Sequence, residues 1–268
     1  MRTVFNRSLT ILFLGLTGCV SLHSYIPAMQ MESPETNGKW LKARLHFAAA
    51  STADITVVDD ASYRPLTFHS PTPTTQRVEY YLSGSMGVIE RLDIGLKAGL
   101  LHSPNVLFMK YQFLGAPLRE AKEGNQSLTV MVGGGTYYSI KDGDQNGVFG
   151  RGGYKWNGKL LTHSREGQLI YGYRGSDTTL FYGGPFYADY RAVGDVYHER
   201  SDDGLSPAMS YRFERQGTRT GVNGNVELRL GTKALAFFNL GVGYSKFTFT
   251  DAPDSYGWDV GTNLNFGL

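Results

Sequence analysis

The chain has 268 residues, 19% of them charged and 13% aromatic, with 34 glycines, a single cysteine and a formal net charge of +2. Removal of residues 1–18 would take away Arg2 and Arg7 and leave basic and acidic residues balanced at 24 each, so charge gives no basis for nucleic-acid binding. No apolar run beyond residue 18 is long enough for a membrane helix, and one cysteine excludes an intrachain disulfide.

At the N-terminus, Arg2 and Arg7 precede an apolar run, residues 9–16, that is too short to span a bilayer and stops at Leu16-Thr17-Gly18-Cys19. The arrangement resembles a bacterial lipoprotein signal. That resemblance implies that residues 1–18 are removed and that Cys19 is lipidated as the mature N-terminus. An ordinary secretory signal cut nearby is the other reading, and both export the chain. Val20 and Ser21 follow, and the lack of an Asp after the cysteine resembles lipoproteins sorted to the outer membrane of enteric bacteria. Residues 19–38 hold Pro27, Pro34 and Gly38 without a sustained period and read as a flexible tether.

From Trp40 onward the chain alternates with period two. The first strand sets Leu41, Ala43, Leu45 and Phe47 against Lys42, Arg44 and His46, and a proline-rich segment, 51–76, reads as a loop. The second and third strands set Val78, Tyr80 and Leu82 against Glu79 and Ser83, then Leu92, Ile94 and Leu96 against Asp93 and Lys97. The fourth, 106–114, turns Leu107, Met109 and Tyr111 one way and Lys110 and Gln112 the other. After a polar connection, 115–126, the fifth strand reaches Ile140. Residues 141–165 are rich in glycine and charge and read as a long loop before a sixth strand, about 166–174, which carries Arg174. The seventh sets Leu180, Tyr182, Phe186, Ala188 and Tyr190 against Tyr187, Asp189 and Arg191, with a bend or bulge expected at Gly183-Gly184-Pro185. A second charged loop, 193–215, leads to an eighth strand, with Val222, Val226 and Leu228 against Arg219, Asn225, Glu227 and Arg229. A tight turn, 231–233, and a ninth strand precede the last eleven residues.

In that closing stretch Trp258, Val260, Thr262, Leu264, Phe266 and Leu268 share one face, and Asp259, Gly261, Asn263, Asn265 and Gly267 share the other. About 9–11 residues suffice for a strand to cross the hydrocarbon. The pattern resembles the C-terminal strand of bacterial outer-membrane β-barrel proteins. That resemblance implies contact with outer-membrane lipids and recognition of Trp258, Leu264, Phe266 and Leu268 by the barrel-insertion machinery. The family norm is a terminal aromatic, whereas here Phe266 stands two places before the end. Residues 39–268 are therefore expected to form an all-β, antiparallel, up-and-down transmembrane barrel of about ten strands, eight and twelve also fitting the pattern. Long connections fall mostly on one side, and an even count places both ends of the barrel, with the lipid anchor, on the periplasmic side of the bacterial outer membrane.

The polar face decides which kind of barrel. It carries Lys42, Arg44, Lys97, Lys110, Arg174, Arg191, Arg219 and Arg229 beside Glu79, Asp93, Glu166, Asp189, Glu227 and Asp259. A dry soluble core would pay heavily to bury them, whereas a polar lumen lets them pair. The alternative is a surface lipoprotein with a β-sandwich.

The leading functional expectation is a non-enzymatic barrel lipoprotein that displays its outer loops for envelope integrity or for binding a partner surface. A narrow channel for small solutes comes second, and an enzyme hydrolysing lipid or peptide third. His69-Ser70, His102-Ser103, His163-Ser164 and His198-Glu199 are candidate dipeptides of catalytic type, but neighbours on an extended chain point to opposite faces. Asp142, Asp144 and Asn146 match the first half of a calcium loop, but Gly153 stands at its twelfth position, so calcium is a minor expectation beside an ordinary turn. No other cofactor is expected. Tyr154, Lys155 and Trp156 in the 141–165 segment are the expected loop-binding residues, the net-basic counterpart of a net-acidic 193–215 segment.

Overall fold

The computed structural model describes residues 22–26, 32–58, 75–100, 103–145, 154–198, 209–230, 236–250 and 253–268. Among them the only regular elements are strands: β1 (Leu22–Ile26), β2 (Ala43–Val58), β3 (Thr75–Ile89), β4 (Leu92–Gly99), β5 (Asn105–Leu114), β6 (Gln126–Gln145), β7 (Tyr154–Ser176), β8 (Thr179–His198), β9 (Met209–Arg229), β10 (Ala236–Phe249) and β11 (Ser255–Gly267). Each strand from β2 to β11 pairs antiparallel with the next, and β11 pairs back onto β2, closing a ten-stranded barrel. Closure leaves no free sheet edge over the paired stretch and so satisfies the backbone polar groups there internally. The predicted count of ten holds.

In every barrel strand but β8 the inward and outward faces follow the alternation read from the sequence. Leu45, Phe47, Val78, Tyr80, Leu96, Leu107, Met109, Val222, Leu240, Val242, Trp258, Leu264 and Phe266 lie exposed on the outer surface, while Arg44, Glu79, Asp93, Lys97, Lys110, Glu227 and Asp259 are buried inside. The molecule is thus apolar outside and charged within, the reverse of a soluble barrel. Among the barrel strands β2 to β11, three ladder irregularities, near Gly87, Gln112 and Arg174, fall at the rim where β3–β4, β5–β6 and β7–β8 connect, the usual place for bulges; a fourth, in the β1–β2 pairing at Leu22, lies at the other end. Pro185 leaves the β7–β8 ladder unpaired beside it but shifts no register, so the expected bulge is only an interruption.

The wall is uneven in height. β4 and β5 have 8 and 10 residues, whereas β6, β7, β8 and β9 have 20, 23, 20 and 21. Most of the 141–165 and 193–215 segments, expected as loops, are the upper halves of these strands. Lys141 pairs with Gly158, Asp144 with Lys155 and Asp195 with Arg212. Glycine and charge misled the reading because polarity is reversed there: Leu160, Ala192 and Val196 are buried on the inner face, while Lys159, Arg165 and Asp195 are exposed outside.

The seam between first and last strands is split. β11 pairs with β2 only from Gly267–Arg44 up to Gly261–Ala50, and above that Val260 N donates to Ser51 Oγ at 2.8 Å. β1 then runs antiparallel along the upper part of β2, from Ile26–Ala53 to Leu22–Val58, and also lies against β7 and β6.

Candidate functional site

The polar interior is a set of discrete ion pairs, each joining different strands. Arg44 on β2 reaches Glu227 on β9 at 2.5 Å, with its guanidinium 4.6 Å over the Phe237 ring. Lys97 on β4 reaches Glu166 on β7 at 2.7 Å, and Lys110 on β5 reaches Asp93 on β4 at 3.2 Å. Arg219 pairs with Asp259 and lies 4.9 Å over Phe247. Inside a low-dielectric wall such pairs offset the desolvation of both partners only when geometry and further hydrogen bonds are good. Arg44 to Glu227 and Lys97 to Glu166 tie together strands that are not neighbours in the sheet, so they fill the lumen as well as neutralising it.

Residues 32–37, expected within the tether, are buried in this interior. The Glu32 carboxylate stands 3.2 Å from His46 Nε2 and accepts from Ser83 Oγ at 3.1 Å. Lys110 Nζ donates to the Ser33 carbonyl at 3.0 Å, and Thr129 Oγ1 to the Pro34 carbonyl at 2.5 Å. The Glu35 carboxylate is gripped by Arg174, which donates from Nε at 3.0 Å and also through an Nη, with Asn125 Nδ2 at 3.0 Å as a third donor. Thr36 N and Oγ1 both donate to Gln112 Oε1, and Asn37 N donates to both oxygens of Asp93. The chain then turns at Gly38 (φ 86°) and Leu41 (φ 62°) into β2. The connection 115–125 closes over this end: Leu118 N donates to the Thr36 carbonyl at 2.9 Å, and Arg119 reaches the Leu268 carbonyl at 2.8 Å. A tether would leave these groups to water; here side chains of β4, β5 and β6 answer its backbone and side chains of β2, β3 and β7 its carboxylates, so residues 32–37 are a plug.

Most of the expected lumen charges stand where they were placed. Arg44, Glu79, Asp93, Lys97, Lys110, Glu166, Arg174, Arg219, Glu227 and Asp259 are buried inside. Lys42 lies in the turn before β2, half-buried, and Arg229 is half-buried at the end of β9. Asp189 and Arg191 are corrected: both face outward, Arg191 pairing with Glu214 at 2.8 Å, while Leu180, Tyr182, Phe186, Ala188 and Tyr190 face inward. With aromatic residues on both faces of β8, alternation alone carried no sign. An inner apolar cluster of Ile170, Leu180, Tyr182, Phe186 and Ala188 settles the direction. The plug was missed, although the sequence held a hint: the expected lumen had more bases than acids, and Glu32 and Glu35 supply acids.

Other expected sites fare differently. Trp258, Leu264, Phe266 and Leu268 lie exposed on the outer face. Asp142 and Asp144 belong to the β6 ladder, opposite Asn157 and Lys155, an extended geometry unlike the coil of a calcium loop; Asn146 lies outside the described residues. Among the described residues no group of three or more His, Cys, Asp or Glu side chains could hold a metal ion. Tyr154, Lys155 and Trp156 open β7, with Trp156 paired to His198. His163 is exposed outside while Ser164 is buried inside, so this dipeptide does not form a pair. Cys19, His69, Ser70, His102 and Glu199 lie outside the described residues.

The outer surface of the tall wall changes character with height. Lower down, Tyr171, Tyr173, Phe181, Leu240, Val242 and Val260 border an apolar groove of about 770 Å³ floored by Gly183, Gly224 and Gly241. Above it, His163, Arg165, Asp189, Arg191 and Gln216 join Tyr187, Tyr190 and Phe249 around a groove of mixed lining, about 810 Å³. At the same upper end Lys246 Nζ lies 2.5 Å from Asp254, and this hydrogen bond holds the Asp254 carboxyl below its ordinary range. The chain matches no protein-family model and no curated protein.

Proposed function

We propose that this chain is a non-conducting bacterial outer-membrane barrel lipoprotein, whose filled lumen makes a rigid mount for the projecting β6–β9 wall, and that this wall binds a partner surface. The observation that carries the reading is the inversion of polarity: an outer face of exposed aliphatic and aromatic side chains around a lumen of buried ion pairs. Only a hydrocarbon solvent makes that face favourable, since in water it would leave an apolar belt far larger than soluble monomers tolerate. The shift from the Tyr171–Phe181 level to the His163–Arg191 level supports placing the hydrocarbon edge between them. The short-turn rim is then periplasmic and the tall wall external.

The plug favours this over a solute channel, because Glu35, Thr36 and Asn37 occupy the lumen at the short-turn end and the 115–125 connection covers them. The projecting wall, with its groove of charged and aromatic side chains and the Tyr154–Trp156 stretch, is the surface offered to a partner. Placement is tested by extraction of bacterial outer membranes with alkali and high salt, and by gel mobility with and without boiling in detergent. The protein, with Cys19→Ala alongside, is expected to stay in the membrane fraction and to shift on boiling. Quantitative release of Cys19→Ala by alkali would mean a soluble domain held by lipid alone.

A further inference from the structure

The direction in which the N-terminal segment runs through the barrel fixes where it emerges. Three described stretches give that direction. β1 pairs with the end of β2 that leads to the 59–74 connection, on the long-connection rim, with Leu22 opposite Val58 and Ile26 opposite Ala53, so the chain descends from Leu22 to Ile26. Glu32 lies lower, at the level where His46 and Ser83 face each other across β2 and β3. Asn37 lies lower again, bonded to Asp93 and Ser85, and Gly38 begins the reversal into β2 at the short-turn rim. The segment enters at one mouth and ends at the other.

The split seam has a physical reason on this path. Above Ala50 the edge of β2 no longer pairs with β11, which would leave a row of donors and acceptors open, and β1 takes up that edge from Ala53 to Val58. The upper strand pairing and the lower ion pairs, Glu32 with His46 and Glu35 with Arg174, hold the segment at both ends.

We infer that the mature N-terminus leaves through the long-connection mouth and is displayed on the outer face of the membrane, and that acyl chains carried at Cys19 enter the outer leaflet beside the β1–β2 seam. This rests on the outer-membrane placement proposed above and reverses the periplasmic anchor expected from the even strand count. An even count fixes where β2 begins, not where the chain preceding it comes from. Cys19 is three residues before Leu22, so its anchor reaches no more than about 10 Å from the end of β1. A thioether- or amide-linked lipid at that rim meets hydrocarbon only by turning outward into the leaflet that surrounds it. In this arrangement the plug is a thread fixed at its outer end by lipid and at its inner end by the turn into β2.

The experiment places one epitope tag at a time in the full-length protein: between Val20 and Ser21, between Asp203 and Gly204 in the 199–208 connection, and between Thr232 and Lys233 in the 230–235 turn. Antibody binding is measured on intact and on permeabilised bacteria, with the boiling-dependent gel shift as the check on folding. The first two tags are expected to bind antibody on intact cells, the third only after permeabilisation. A silent N-terminal tag beside a reactive 203 tag would overturn the threading while leaving the outer-membrane placement standing. If no tag binds until permeabilisation, or the 232 tag binds on intact cells, the placement itself falls and the threading with it. A second variant avoids any insertion: Ile26→Cys with Ala53→Cys should form a disulfide that blocks alkylation of both thiols until reduction. Free alkylation of both would contradict the β1–β2 pairing.

Discussion

Arg174 and Glu35 show how much the interior depends on single partners. Arg174 is buried on β7, and its guanidinium meets the carboxylate of a residue that precedes the first barrel strand. Replacing one member strands the other charge away from water, which costs about 3–5 kcal/mol, whereas replacing both with apolar groups of similar size is close to neutral. Glu35→Met and Arg174→Met should therefore each lower the unfolding midpoint in detergent strongly, and the double variant should recover most of the loss. Equal loss in all three would mean that the pair is not buried against the wall. By contrast Arg191→Ala, removing an exposed pair with Glu214, should change stability by less than about 1 kcal/mol. The outer face permits a sharper contrast. Val242 is exposed on the apolar groove and Thr248 on the mixed one above it, beside His163, Arg165 and Arg191, both outward on β10. In lipid an arginine costs about 2–4 kcal/mol at mid-depth and about 0–1 near the interface, so Val242→Arg should impair stable insertion while Thr248→Arg is tolerated. In a soluble barrel both would be harmless, which makes the comparison of folded yields a test of the solvent.

At the scale of the element, the strands below the rim were legible and those above it were not. β2 to β5, β10 and β11 show an apolar outer face against an inner one that carries the charges and amides, with Phe108, Phe237 and Phe247 packed among them, so period-two alternation found them and their direction together. β8 defeated the same rule because Tyr182, Phe186 and Tyr190 pack inside while Phe181 and Tyr187 stand outside. The upper halves of β6 to β9 defeated it for another reason, since there the inner face buries Leu160, Ala192 and Val196 while Lys159, Asp195 and Arg212 are exposed outside, the opposite polarity to the strands below. Residues 32–37 are polar and irregular, and their fit depends on donors from β3, β5, β6 and β7 and on the Asp93 carboxylate of β4 as acceptor, which no local pattern reveals. The upper wall should behave as a separable extension. Deleting residues 143–156 removes the top of the β6–β7 hairpin from Gly143–Trp156 upward and joins the strands at Asp142 and Asn157, which already face each other. That variant should retain heat-modifiable mobility and lose whatever partner binding the wall supports. Failure to fold would show that the wall is needed for the barrel itself.

For the whole molecule, lumen and plug form one object. The barrel strands supply Arg44, Lys97, Lys110, Arg174 and Arg219, and the acids that answer them come from the strands and from the thread alike. About eight strands are just filled by side chains, and ten leave room for one segment of chain, so the plug follows from the strand count as much as from its own sequence. Single-molecule conductance in planar bilayers tests this most directly. Purified wild-type protein should give no steady conductance, and a variant in which Glu32, Pro34, Glu35 and Thr36 are replaced by glycine, freeing the thread from His46, Arg174 and Gln112, should give small, fluctuating openings. Large, steady, porin-like steps from the wild type would contradict a lumen filled by its own N-terminal segment.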